Sequence, residues 1–264
     1  MSINNKHIIS TTNLAIGYFH KKKNTCIASS IDLLLPKGSF VCILGKNGIG
    51  KSTLLRTLTK VQPKLSGEIF LNGYPLEGIS TTELAKKMSL VLTEKIPESN
   101  LTVYELIALG RQPYTNWIGK LNTKDLQQID WAIEQLHIKE LITKKHDELS
   151  DGQLQKVMIA RALVQDTEII ILDEPTVHLD LHNTIEIFSI LKKLSENFNK
   201  TILISTHEIH LALQLADQLW LLNEDGIVSG ATEKLITDGS ISTLFTSNLI
   251  TFDAKSKQFI INNK

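Results

Sequence analysis

The string Gly45-Lys46-Asn47-Gly48-Ile49-Gly50-Lys51-Ser52-Thr53 places glycines, a lysine and hydroxyls in the spacing G-x-x-x-x-G-K-[ST]. Glycines let successive backbone N–H groups close around phosphate oxygens, and a helix opening near Lys51 adds its positive end. The Lys51 ammonium then neutralises the outer phosphates. The apolar run Phe40, Val41, Ile43 and Leu44 before the string reads as a strand. Leu54, Leu55 and Leu58 after it read as a helix. Strand, glycine loop, helix is the setting that such a motif requires. The string implies a nucleoside triphosphate site.

A second candidate lies at Ile169–Pro175, where an all-apolar run ends in Asp173 and Glu174. A short run rich in β-branched residues, without alternation, predicts a parallel strand buried on both faces. Ligands of open α/β sheets gather at the carboxyl ends of such strands. Asp173 is therefore expected to hold Mg²⁺ with the Ser52 hydroxyl as a second ligand, and Glu174 to accept a hydrogen bond from an attacking water. The alternative is that these acids only cap the next helix.

A third string, Leu149–Gln153 (LSDGQ), opens the helical run Leu154–Val164 upstream of the Asp173 strand. It resembles the signature of ATP-binding cassette (ABC) ATPases, usually written LSGGQ. The resemblance runs from about Leu14 to Gly230. It identifies Tyr18 as the aromatic that stacks on adenine, Val177–Asp180 as the D-loop, and His207 in Ser205-Thr206-His207 as the switch histidine. It implies head-to-tail dimers with ATP in the interface. Ser150, Asp151, Gly152 and Gln153 of one chain would then meet the nucleotide held by the partner's phosphate loop. The resemblance assigns Glu174, His207 and Lys51 to catalysis.

Asp151 departs from the usual glycine. An acidic side chain in the first turn of a helix is favourable by ~0.3–1 kcal/mol, so it is expected to face away from the phosphate. A further departure is Glu94, which follows the strand Ser89–Leu92 where the family has a glutamine touching Mg²⁺ and water. Glu94 is expected to ligate the metal more strongly than an amide. His207-Glu208-Ile209-His210 is one residue short of H-E-x-x-H, and a zinc site is rejected. His178 and His182, four apart, are read as surface residues.

Lys+Arg and Asp+Glu number 28 each in the 264 residues, giving zero formal net charge and no support for nucleic-acid binding. Cys26 and Cys42 lack metal-type spacing and are expected to be reduced core residues. Met1–Ser10 has no secretion-type apolar region, and no window reaches the ~18 apolar residues of a membrane span.

Lys21-Lys22-Lys23 reads as a solvated hairpin tip in a break at His20–Thr25, and Asn72-Gly73 as a turn. Helical periodicity dominates from about Lys95 to Leu149. After the strand that ends in Asp173, βα alternation resumes in helix Leu181–Leu194, strand Thr201–Ser205, helix Glu208–Ala216 and strand Gln218–Leu222, the rhythm of a parallel sheet. The expected class is α/β: a P-loop NTPase of ABC type, with a mainly parallel sheet, an N-terminal antiparallel β subdomain and an inserted helical subdomain. Residues 1–264 make one ATPase domain. Within it 1–94 and 166–230 form the core, 95–165 the helical subdomain, and 231–264 a tail with two helical pieces and a hairpin around Ala254–Lys257.

Leu109-Gly110-Arg111-Gln112-Pro113-Tyr114, with Trp117 and Gly119, resembles a segment of ATPases serving ferric-siderophore, haem and cobalamin importers. Tyr114, Trp117 and Ile118 either dock a permease or pack in the subdomain core. The resemblance implies ATP and Mg²⁺ as cofactors, a homodimer, and integral-membrane permease subunits. It also implies indirect work with a periplasmic or surface binding protein, at the cytoplasmic face of the plasma (inner) membrane. Alternatives are a soluble, non-transport cassette ATPase, or one for another cargo such as metal cations.

Overall fold

The computed structural model describes residues 6–19, 24–93, 99–116, 119–244 and 250–262. Glu94, Trp117, Ile118 and Lys21–Lys23 lie outside these. The chain divides into two compact units, Met1–Ile79 with Thr201–Lys264, and Ser80–Lys200.

In the first unit β1 (His7–Tyr18), β2 (Thr25–Ile31) and β3 (Leu34–Pro36) precede β4 (Phe40–Gly45) and α1 (Lys51–Leu58). Next come β5 (Ser66–Leu71) and β6 (Tyr74–Pro75). An antiparallel sheet runs in the order β2-β1-β5-β6, with β3 also paired to β1. Asn72 and Gly73 turn β5 into β6 with φ of 52° and 81°, the left-handed conformations that an Asn-Gly pair adopts most easily.

Strand β4 belongs to a different sheet. It lies between β9 (Thr201–Ser205) and β10 (Gln218–Asn223), parallel to both, while β11 (Gly226–Ala231) closes the edge antiparallel to β10. Phe40 through Leu44 are all buried, the two-sided burial that their unbroken apolar run predicts. Helix α7 (Ile209–Leu215) links β9 to β10. The tail carries α8 (Thr232–Thr237), a short 3₁₀ turn at Ser240–Leu244, and the hairpin β12 (Ile250–Asp253) and β13 (Gln258–Ile261). The hairpin is stapled by the rings of Phe252 and Phe259, 5.1 Å apart.

The second unit holds α2 (Thr81–Ala85), β7 (Met88–Val91), α3 (Val103–Ala108), α4 (Thr123–Gln135), α5 (Asp151–Val164), β8 (Ile169–Asp173) and α6 (Leu181–Phe198). β7 and β8 pair in parallel, and every residue of β8 is buried. The helical segment expected over 95–165 falls inside this unit. Capping boxes open α2 (Ser80 with Glu83), α3 (Thr102 with Glu105), α4 (Asn122 with Asp125) and α5 (Ser150 with Gln153). Each satisfies N–H groups that a helix start leaves unpaired. The Thr102 backbone N–H holds the Glu105 carboxyl below its ordinary range, and the Ser80 hydroxyl does the same for Glu83.

Arg111 is the most buried cation of this unit's described residues, 3 % exposed, against Asp125 at 1 %. Its Nε and Nη2 both lie 2.8 Å from Asp125 Oδ1, and Nη1 donates to the Val164 carbonyl at 2.9 Å. Tyr114 stacks on the guanidinium at 4.0 Å, half-buried, and burial pushes its phenol up. Arg111 therefore belongs to the packing of the helical region. Cys42 is buried, but Cys26 is exposed on β2, which corrects the expectation that both are core. Its neighbours Thr25, Ile27 and Ala28 read apolar enough for a core strand. Only the packing of the sheet reveals the exposed side.

Candidate functional site

The phosphate loop emerges from β4 as its sequence predicts. Gly48 and Gly50 have φ of 76° and 112°, and a Cβ on Gly50 would lie 2.6 Å from Ile27 Cγ2. An L side chain at Gly50 is excluded twice, by backbone conformation and by space. Gly50 is also the residue that begins α1, and with no side chain it leaves the first N–H groups of that helix uncapped from within the motif. Those donors and the loop amides form an anion cradle.

Lys51 is 4 % exposed, and its ammonium donates to the carbonyls of Gly45 at 3.1 Å and Lys46 at 3.3 Å. It also lies 3.3 Å from His207 Nε2. An ammonium only donates, so Nε2 accepts from Lys51 only in the tautomer that carries its proton on Nδ1. Residues 156 positions apart are brought together because β4 and β9 run parallel, with Cys42 opposite Ile204 and Ile43 opposite Ser205. Tyr18, at the end of β1, is 46 % exposed, and its hydroxyl lies 3.1 Å from Thr53 Oγ1. The ring therefore stands beside the phosphate-loop helix with an open face.

The second unit carries the acids and the signature. Asp173 ends β8 with 2 % exposure, and its backbone carbonyl accepts from Thr93 Oγ1 at 2.9 Å. Glu174 follows at φ 47°, a left-handed conformation that costs a non-glycine residue about 1–3 kcal/mol. Neither acid caps the next helix. Asp180 does so: its Oδ1 accepts the Asn183 N–H at 2.8 Å and its Oδ2 accepts Asn183 Nδ2 at 2.8 Å. The Asn183 backbone N–H, aided by the carboxamide, holds the Asp180 carboxyl below its usual range.

Ser150 caps α5, its Oγ accepting from Gln153 N–H at 3.3 Å while Gln153 Oε1 accepts from Ser150 N–H at 3.1 Å. Gly152 is buried under α6, where an added Cβ would meet the Asn183 side chain at 2.8 Å. Asp151 is exposed in the first turn and lines a cavity with Thr93, Glu174 and His178. Among the described residues no cluster of three or more His, Cys, Asp or Glu is arranged to hold a metal ion unaided. Asp173 in the second unit and Ser52 in the first each carry a hard oxygen of the kind Mg²⁺ takes, and that cation seldom depends on an all-protein cage. Asn183 and the Arg111–Asp125 pair escaped the sequence reading. The Asp-x-x-Asn spacing at 180–183 was the one local signal available, and it marks a helix start.

A glycine loop at the end of a parallel strand, with lysine and histidine converging on the phosphate position, defines a nucleotide-binding protein of the P-loop class. Residues 28–177, more than half of the chain, match the family model described as ABC transporter, and the chain belongs to that family. It is similar to the iron(3+)-hydroxamate import ATP-binding protein FhuC of Bacillus subtilis, 35% identical over 85% of this chain and 82% of the relative. The achromobactin transport ATP-binding protein CbrD of Dickeya dadantii is 34% identical, covering 90% of this chain and 87% of its own. Among solved structures, a dimeric ATP-binding cassette in a post-hydrolysis state with ADP and Pi superposes with a TM-score of 0.73. It is 26% identical and covers 85% of this chain and 98% of the other. The chain is thus an ATP-binding ATPase subunit of a transporter. No helix among the described residues is long and apolar enough to cross a membrane.

Proposed function

We propose that the chain is the ATP-hydrolysing subunit of an importer for an iron chelate of the siderophore class. The observation that carries this reading is the identity of about one third, over most of the length, to an iron(3+)-hydroxamate import ATP-binding protein and a probable siderophore transport system ATP-binding protein. The membrane-spanning part of the machine is a separate permease, and the chain works peripherally at its cytoplasmic face. A binding protein that delivers the chelate completes the system.

ATP is held by the loop Gly45–Thr53 with Tyr18 against adenine. Lys51 neutralises the outer phosphates, and Ser52 and Asp173 supply oxygens to Mg²⁺, with Glu94 as a third. The metal, when bound, draws charge from the phosphate oxygens. Glu174 orients and deprotonates the attacking water, and His207, beside Lys51, donates a ring N–H to the γ-phosphate and so bridges it to that water. Two copies assemble head to tail, so that Ser150 and the Gly152 N–H of one meet the nucleotide of the other. That the similar cassette bound to ADP and Pi is dimeric supports a two-copy assembly.

The test is purification of the tagged chain from membranes, with identification of the co-purifying polytopic protein. Uptake of ⁵⁵Fe-loaded hydroxamate and carboxylate siderophores is then measured in cells carrying Glu174→Gln. Loss of uptake of one chelate is expected. Unchanged uptake of all of them, with a permease for another solute co-purifying, overturns the assignment.

A further inference from the structure

Asn183 is held by Asp180 through both its backbone and its carboxamide. Asp180 grips it with one oxygen on the backbone N–H and the other on Nδ2, both at 2.8 Å. On its opposite side it lies against the α-carbon of Gly152. A Cβ placed there would stand 2.8 Å from Asn183 Cγ, 2.9 Å from Oδ1 and 3.1 Å from Nδ2. Ordinarily the end of an asparagine side chain would swing aside for a methyl group. This one cannot do so without giving up its hydrogen bond to Asp180. One turn further along both helices, Lys156 of α5 pairs with Glu186 of α6 at 2.7 Å. Residues 152 and 156, and 183 and 186, are the i, i+4 and i, i+3 neighbours that share a helix face. The two helices therefore meet along a seam whose first contact is Asn183 on Gly152.

We propose that Asn183 is a positioning residue for ATP hydrolysis, locking the Asp180 end of the D-loop and the signature Gly152 into one rigid element. The inference rests on the head-to-tail dimer proposed above, in which both strings of one chain face the partner's nucleotide. It adds a physical reason for glycine at 152: any side chain would displace Asn183 and loosen Asp180. It also separates the two jobs of residue 183, since the backbone N–H that Asp180 caps survives any substitution except proline and only the carboxamide makes the link.

The experiment is a double-substitution cycle in the full chain: Asn183→Ala, Gly152→Ala and the pair together. Steady-state ATPase is measured beside binding of a fluorescent ATP analogue. Asn183→Ala is expected to lower kcat about tenfold, the scale of a small misplacement of a catalytic group, with analogue affinity within about twofold of the parent. Gly152→Ala lowers kcat as well. In the pair the methyl group finds the space that Asn183 left, so the loss is smaller than the product of the single losses. Asn183→Asp gives a second readout: it replaces the hydrogen bond to Asp180 by a carboxylate that repels it. Its kcat should therefore fall at least as far as that of Asn183→Ala, again with analogue affinity within about twofold of the parent. A kcat for Asn183→Ala within twofold of the parent, strictly multiplicative losses in the cycle, or a kcat for Asn183→Asp within twofold of the parent would each overturn the proposal. The dimer reading is judged separately, by whether the parent's specific activity rises with protein concentration.

Discussion

Asp125→Ala strikes the described structure where its electrostatics are least forgiving. The substitution leaves the Arg111 guanidinium 3 % exposed with the carboxylate that faced it gone, and only the Val164 carbonyl and the Tyr114 ring nearby. Breaking a buried pair from one side costs about 3–5 kcal/mol, because the remaining charge has neither partner nor water. Asp125 Oδ2 also accepts the Asn122 N–H at 2.8 Å, and losing that helix cap adds about 1 kcal/mol. Against a domain stability of ~5–15 kcal/mol, the total is about a quarter or more. Urea unfolding followed by far-UV circular dichroism measures it. With a slope near ~2 kcal/mol/M, the transition that involves residues 80–200 should move down by roughly 2–3 M. Asp125→Asn keeps an oxygen for the cap and should fall between. Replacing both partners by apolar residues of similar size, Arg111→Met with Asp125→Leu, removes the charge together with its counter-charge and should cost far less than Asp125→Ala. A midpoint shift below about 0.5 M for Asp125→Ala, or a double variant as damaged as the single one, would refute the buried-pair argument.

Glu174→Gln should abolish turnover while retaining ATP, since the amide keeps the shape and loses the basicity, and an ATP-bound dimer should accumulate on size-exclusion chromatography. Near-normal hydrolysis by that variant would remove Glu174 from the mechanism. Lys51→Ala withdraws the ammonium that is already held over the phosphate loop by the Gly45 and Lys46 carbonyls, so nucleotide affinity itself should collapse. Equilibrium titration with a fluorescent ATP analogue checks this, and intact affinity contradicts the assignment of the loop. Glu94→Gln should raise the Mg²⁺ concentration needed for half-maximal ATPase, because a carboxylate binds the metal more strongly than an amide. An unchanged Mg²⁺ midpoint would show that Glu94 does not reach the metal.

The phosphate loop, the buried strand ending at Asp173, the Asn72-Gly73 turn and the hairpin around Ala254–Lys257 were all legible in the sequence. Each depends on residues within a few positions of one another: glycines at positive φ, an unbroken apolar run, a turn pair. Backbone conformation is decided at that range, and so are the capping boxes, whose partners stand three residues apart. The partners of individual side chains were not legible. That Cys42 is buried while Cys26 is exposed depends on how β2 lies in its sheet. That Arg111 meets Asp125, and that Tyr18 reaches Thr53, depends on where separate elements dock. The chemistry of Asn183 lies wholly in this second category. By sequence it is an ordinary residue in the first turn of a helix, and only the packing of α6 on α5 sets its carboxamide against Gly152. Short-range sterics write the elements into the chain, whereas contacts across tens of residues exist only once burial of the apolar faces has fixed the helices and sheets against each other.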